Sequence, residues 1–156
     1  MHKINISIDS KEWIKNFPNI EKKIRQILKK SIMSEKIFLK KKIELTVLLT
    51  NSNKMKFLNQ KFRKKRQDTD VLSFPSEKPY FYERRISGKN IYLGDVALSF
   101  NYINKQNKSF DVYLKKILVH GFLHLIGHDH KNNKSYVKME KAQTRIIGLI
   151  WVKKKI

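Results

Sequence analysis

The sequence predicts one α+β domain, a small mixed β-sheet packed with helices. Three observations carry this. Period-two alternation marks several short strands, helical spacing of apolar residues dominates the C-terminal half, and no linker or internal repeat divides the 156 residues. We therefore take residues 1–156 as a single domain, long enough to bury a core without disulfides.

The elements follow in order. Ile4, Ile6 and Ile8 share a face of a strand over Lys3–Ile8. Ile20, Ile24, Ile27 and Leu28 recur at helical spacing, with Pro18 near the start, where a missing N–H is tolerated. Ile43, Leu45, Val47 and Leu49 form the inner face of a second strand. Met55, Leu58 and Phe62 are the expected apolar stripe of a helix over Ser52–Phe62. A basic, polar loop is expected from Arg63 to Thr69. Val71–Phe74 is a short strand stopped by Pro75, Pro79–Lys89 a loop or hairpin tip punctuated by Gly88, and Asn90–Leu98 a strand interrupted by Gly94. A short helix starts near Ser99. A long one follows Ser109, an expected N-cap, with Asp111 in its first turn. It carries Leu114, Ile117, Leu118 and Leu125 inward and stops at Gly127. The last helix runs from about Ser135 to Trp151 on Met139, Ile146, Ile147 and Ile150, and Lys153–Lys155 is read as a solvated tail.

Composition narrows the function classes. The absence of cysteine excludes disulfides, thiolate catalysis and cysteine metal ligands. No apolar run approaches the ~20 residues of a membrane span, and Met1–Ser10 lacks a signal-peptide block. A cytoplasmic protein with no membrane partner is the expectation. The formal net charge of +22 attracts polyanions such as RNA. However, 29 of the 35 basic residues are lysine, so biased base composition explains the excess equally well.

Four of the five histidines lie between His120 and His130. On a helix, His120 and His124 stand one turn apart on one face. Gly127 lets the chain turn back, and His130 can approach the same point. Three imidazoles make a half-open site for Zn2+, one per chain, with Ni, Cu and Fe as rivals. Asp129 is a candidate acceptor for a ligand N–H, and His128 is the spare, expected near the rim. The pattern resembles the zincin-like helix and glycine turn of metzincin peptidases. Those enzymes place Glu after the first histidine as general base. Here that position is Gly121, which lowers the prior for a peptidase or amidase. RNA offers another route, because its own 2′-hydroxyl can act as the nucleophile.

The stretch His120-Gly121-x-Leu123-His124-Leu125-x-Gly127-x-Asp129-His130 resembles the signature of the YbeY family of metal-dependent endoribonucleases. Leu58-Asn59, Phe62-Arg63, Thr69-Asp70-Val71-Leu72-Ser73-Phe74-Pro75 and Leu93-Gly94-Asp95-Val96-Ala97-Leu98-Ser99 resemble the family's other blocks. Together they span roughly residues 43 to 140 in consistent order. The resemblance implies metal ligation by His120, His124 and His130, with Arg63 and His124 needed for catalysis. It implies cleavage of single-stranded RNA, maturation of the 3′ end of small-subunit ribosomal RNA, and ribosome quality control. The implied partners are ribosomal RNA and the small ribosomal subunit, with ribosomal proteins or other nucleases as possible helpers. Arg63 suits a phosphate grip; Lys64, Lys65 and Arg66 extend it into a candidate RNA groove or are a solvated loop. Thr69 and Asp70 are either pocket wall or turn, Ser73 lacks a base to activate it, and Gly94-Asp95 is a bulge with a functional carboxylate or a plain irregularity. Where the family carries a further glutamate after Met139-Glu140, this chain offers Gln143. The alternative function is a non-enzymatic, metal-containing ribosome assembly factor.

Overall fold

The fold was obtained as a computed structural model, which describes residues 1–76, 88–106 and 108–151. Most of the expected Pro79–Lys89 tip, and the Lys153–Lys155 tail, lie outside the described residues. Strands β1 (Lys3–Ile8), β2 (Lys42–Thr50), β3 (Val71–Pro75) and β4 (Asn90–Ser99) form one sheet in the order β1-β2-β4-β3. β1 and β4 flank β2 in parallel, while β3 pairs antiparallel with β4, so the sheet is mixed as expected. The helices are α1 (Glu12–Asn16), α2 (Ile20–Met33), α3 (Ser52–Arg63), α4 (Phe100–Asn104), α5 (Phe110–Leu125) and α6 (Asn133–Trp151). A single 3-10 turn spans Lys36–Phe38.

One sheet face meets α2 and α5, and α6 packs on those two helices. There Ile43, Leu45, Val47 and Leu49 of β2 pack with Ile24, Leu28, Leu118 and Phe122 into the main core. At about 25 cal/mol per Å² of apolar surface removed from water, this burial is the main favourable term in folding. The other face is half covered by α3, where Met55, Leu72 and Ala97 make a smaller cluster. Its open half is polar: Asn5 donates to Glu44 at 2.8 Å and Tyr92 to Asp95 at 2.5 Å.

Several sequence expectations need correction. α1 is too short for periodicity to reveal; it is anchored by the fully buried Trp13, whose Nε1 donates to the Thr50 carbonyl at 2.8 Å. On α3, Phe62 is not part of the buried stripe but is 54% exposed, and Asn59 is buried instead. The Asn59 amide donates to the Gln67 carbonyl at 2.9 Å, pinning the following loop to the helix. Arg63 is the last residue of α3 rather than the first of that loop, because the helix ends at Lys64 in the left-handed region with φ 59°. Ser109 occupies the N-cap position of α5 but makes no side-chain capping bond.

Two glycines carry specific geometry. Gly94 has φ +131°, and a Cβ there would stand 2.2 Å from the Phe74 carbonyl oxygen. The β2–β4 register shifts between Glu44 and Thr46, where Leu93 and Gly94 oppose the single Leu45, so the bulge is at Leu93-Gly94 and Asp95 is back in register opposite Thr46. Gly121 lies inside α5, where an added Cβ would meet Ser73 Oγ, Val71 Cγ2 and Val96 Cγ1, each at 3.2 Å. It thus lets α5 sit close on β3 and β4.

The contrast with Gly148 of α6, where nothing lies within 4 Å, gives a paired prediction. Gly148→Ala should stabilise by up to ~1 kcal/mol through helix propensity. Gly121→Ala should instead destabilise by about 1 kcal/mol, because overpacking costing about 1–3 kcal/mol outweighs that gain. Urea unfolding midpoints of the two variants test this; equal shifts of the same sign would refute it.

Candidate metal centre

The histidine segment is built by the end of α5. The helix closes with a pair of bonds, from the His128 N–H to the Leu123 carbonyl at 2.9 Å and from the Gly127 N–H to the His124 carbonyl at 3.2 Å. This is the Schellman arrangement, with Gly127 at φ +108° as the left-handed residue. The turn carries His130 back toward the helix. The ligand atoms of His120, His124 and His130 all lie within 4.8 Å of one another.

The hydrogen bonds decide which ring nitrogens face the shared point. A carbonyl oxygen only accepts, so His124 Nδ1–H donates to the His128 carbonyl at 2.9 Å. Likewise His120 Nδ1–H donates to Gln143 Oε1 at 3.2 Å. The Nε2 atoms of both rings then carry lone pairs, and they stand 3.1 Å apart. Two lone pairs cannot bond each other, whereas a cation between them satisfies both. Ligands at 2.0–2.1 Å in a tetrahedron are separated by about 3.3 Å, close to the spacing seen. The residues present fit a metal ion.

Protonation favours the same state. Burial pushes the His124 imidazolium down to about pKa 4, helped by repulsion from His120 and His130. Burial also lowers His120, against the opposing effect of its bond to Gln143. Both rings are therefore neutral near pH 7, the form that ligates metals.

Corrections and additions follow. His128 is not at the rim: it is 7% exposed, and its backbone carbonyl orients His124. Asp129 does not serve a ligand N–H; its carboxylate accepts from the Lys131 N–H at 3.2 Å, a bond that holds it below the ordinary carboxylate value. Its part is to shape the turn. The role offered to Asp129 belongs to Gln143, a residue marked by the sequence only as a departure. Gln143→Leu should weaken metal affinity by about 10–100-fold without unfolding the chain. Competition with a calibrated chelator measures this, and an unchanged affinity would remove Gln143 from the site.

The histidines open into a cleft of about 470 Å³ along β3. Its walls include Arg63, Lys65, Gln67, Thr69, Asp70, Ser73 and Lys131. Lys64 and Arg66 do not line it, so only two members of the basic run reach the cleft. Lys131 was not anticipated; it follows from the chain reversal after Gly127. The Arg63 guanidinium donates to the Ser73 carbonyl at 3.2 Å. The Ser73 side chain is buried, and its hydroxyl donates to the Gly121 carbonyl at 3.0 Å, so it is engaged in packing α5. Asp70 is both wall and turn: its carboxylate takes the Val71 N–H at 2.7 Å and the Tyr113 hydroxyl at 2.5 Å. Burial and this carboxylate together raise the Tyr113 phenol well above its ordinary value. Asp95 lies outside the cleft. The position of the peptidase glutamate, Gly121, faces Val71, Ser73 and Val96, which leaves no room for a general base.

The chain is similar to known proteins over most of its length. A family model described as "Endoribonuclease YbeY" matches residues 5–150. The chain is 39% identical to an Endoribonuclease YbeY of Pelagibacter ubique, over 98% of this chain and 99% of the relative. It is 37% identical to an Endoribonuclease YbeY of Buchnera aphidicola, over 92% and 90%. The solution structure of TM1509 from Thermotoga maritima shares the fold, with a TM-score of 0.51 and 24% identity over 97% of this chain and 89% of that one.

Proposed function

The chain belongs to the endoribonuclease YbeY family, and from that premise we propose that it is a metal-dependent endoribonuclease cutting single-stranded RNA. In this reading it matures the 3′ end of small-subunit ribosomal RNA, acts in ribosome quality control, and works in the cytoplasm on the small ribosomal subunit. The observation that carries it is the convergence of His120 Nε2 and His124 Nε2, 3.1 Å apart, with His130 on a cleft that Arg63, Lys65 and Lys131 also line.

His120, His124 and His130 would hold one Zn2+ or a similar divalent ion. Bound there, the ion supplies Lewis-acid polarisation of a phosphodiester and stabilises its developing charge. Arg63 at the cleft wall grips a phosphate oxygen, and Lys65 and Lys131 add charge beside it. Lys64 and Arg66 play at most a longer-range part. The nucleophile is the RNA's own 2′-hydroxyl: it gives up its proton, bonds to the adjacent phosphorus and breaks the P–O5′ bond, leaving a 2′,3′-cyclic phosphate and a protonated 5′-hydroxyl; the chain supplies no nucleophile, in keeping with Ser73 being tied to Gly121. Three cations (Arg63, Lys65 and Lys131) and two carboxylates (Asp70 and Asp129) line the cleft, a local balance of +1 before any metal is counted.

The test pairs metal analysis with cleavage. Purified protein should contain about one metal ion per chain and cut both single-stranded RNA and immature ribosomal particles. Full metal content with no cleavage of either would favour the assembly factor, in which the metal holds the fold. Tight, salt-sensitive binding to the particles would then be its remaining activity.

A further inference from the structure

Two aromatic side chains of α3 stay largely outside the core. Phe57 and Phe62 are 55% and 54% exposed on a helix of twelve residues. Single exposed apolar residues are ordinary, but these two are set among cations. Lys54 Nζ lies 5.4 Å from the Phe57 ring centre. Lys61 Nζ lies 5.9 Å from the Phe57 ring and 5.4 Å from the Phe62 ring. The result is a continuous strip, Lys54–Phe57–Lys61–Phe62, ending beside Arg63. Phe62 is held in place by Phe74 of β3, with ring centres 5.0 Å apart and planes at 61°. Phe62 is followed in the chain by Arg63, which lines the cleft, so the strip ends next to that wall.

We propose that this strip of α3 is a stacking platform that delivers single-stranded RNA to the histidine cleft. Phe57 and Phe62 take bases, and Lys54 and Lys61 take phosphates. The proposal rests on the endoribonuclease reading and adds to it the surface that selects unpaired strands. Every unpaired base offers a π-face, so aromatic rings interleaved with cations bind single strands without regard to sequence. In a duplex those faces are already stacked, leaving only phosphates and the minor groove. A protein partner fits less well, because lysine is depleted from the cores of protein interfaces. Phe57 and Phe62 are about 7.5 Å apart along the helix axis and about 140° apart around it, with Lys61 between the two rings.

The experiment measures equilibrium binding of the full chain to a 2′-O-methyl oligouridine, which lacks the nucleophile and survives intact. Fluorescence anisotropy is followed over a range of salt, with a 2′-O-methyl duplex of equal length as comparison. Phe57→Ala and Phe62→Ala should each weaken single-strand affinity by about five- to a hundredfold and leave duplex affinity unchanged. Phe62→Leu keeps the apolar contact with Phe74 but has no π-face, and should behave like Phe62→Ala. Phe62→Trp should bind as wild type. Lys54→Gln and Lys61→Gln should each flatten the salt slope by about 0.7, which the phenylalanine variants should not do. If wild type binds the single strand and all of these variants bind it equally, the platform is refuted and the endoribonuclease reading is untouched. If wild type binds no single-stranded RNA, both fall. An equal loss of affinity for single strand and duplex in the phenylalanine variants would also overturn the platform.

Discussion

His124→Ala should lose bound metal and RNA cleavage together while the chain stays folded. His124 is the central ligand: its Nε2 faces His120 Nε2 at 3.1 Å, and its Nδ1 is fixed by the His128 carbonyl. Removing a partner of a ligand weakens binding by about 10–100-fold, so losing the ligand itself should exceed 100-fold. Without metal, the three imidazoles are crowded and two lone pairs oppose each other, so truncating one relieves repulsion. Metal-free His124→Ala should therefore melt no earlier than metal-free wild type. Metal content after gel filtration, a cleavage time course and a thermal melt provide the three readings. Retention of about one ion per chain by the variant would show that His124 is not a ligand.

Arg63→Ala should show the complementary pattern, with metal content intact and cleavage reduced about 10²–10³-fold, the usual cost of removing one donor to a developing charge. Arg63 contributes little to the fold: its side chain is exposed and makes one bond to the Ser73 carbonyl. Losing that bond should cost about 1 kcal/mol at most. Arg63→Lys should recover only part of the rate, because an ammonium is a point charge without the two-pronged geometry of a guanidinium. Normal cleavage by Arg63→Ala would remove it from the phosphate site. Considered with His124→Ala, the two variants separate holding the metal from holding the substrate.

The four strands and the long helices were readable because each buries a regular stripe. Ile43, Leu45, Val47 and Leu49 are all buried, as their alternation demanded. α1 escaped because five residues show less than two turns of any period, and its anchor is a single tryptophan. Phe62 was misassigned because spacing reports which residues share a face, not whether anything covers that face. The three histidines could be grouped from their spacing alone, since helix geometry and one glycine bring them together. Their orienting partners could not. Gln143 arrives from α6 through tertiary packing, and the His128 carbonyl is backbone, which no side-chain pattern reveals. His128 itself looked like a surplus ring at the rim; its burial follows from the path the chain takes after Gly127.

That path has a consequence for how the site is assembled and how it can change. All three imidazoles and the carbonyl that orients one of them come from eleven consecutive residues closed by a single turn. Closing so short a loop takes about 10–100 ns and costs little entropy, whereas the sheet must bring together strands far apart in the chain. The ion-binding part is thus a local module, which also brings Lys131 with it, and its other surroundings are long-range additions: Arg63 from the end of one helix and Asp70 from a loop. Substitutions in those surroundings can alter what is presented to the ion while the module that holds it stays intact.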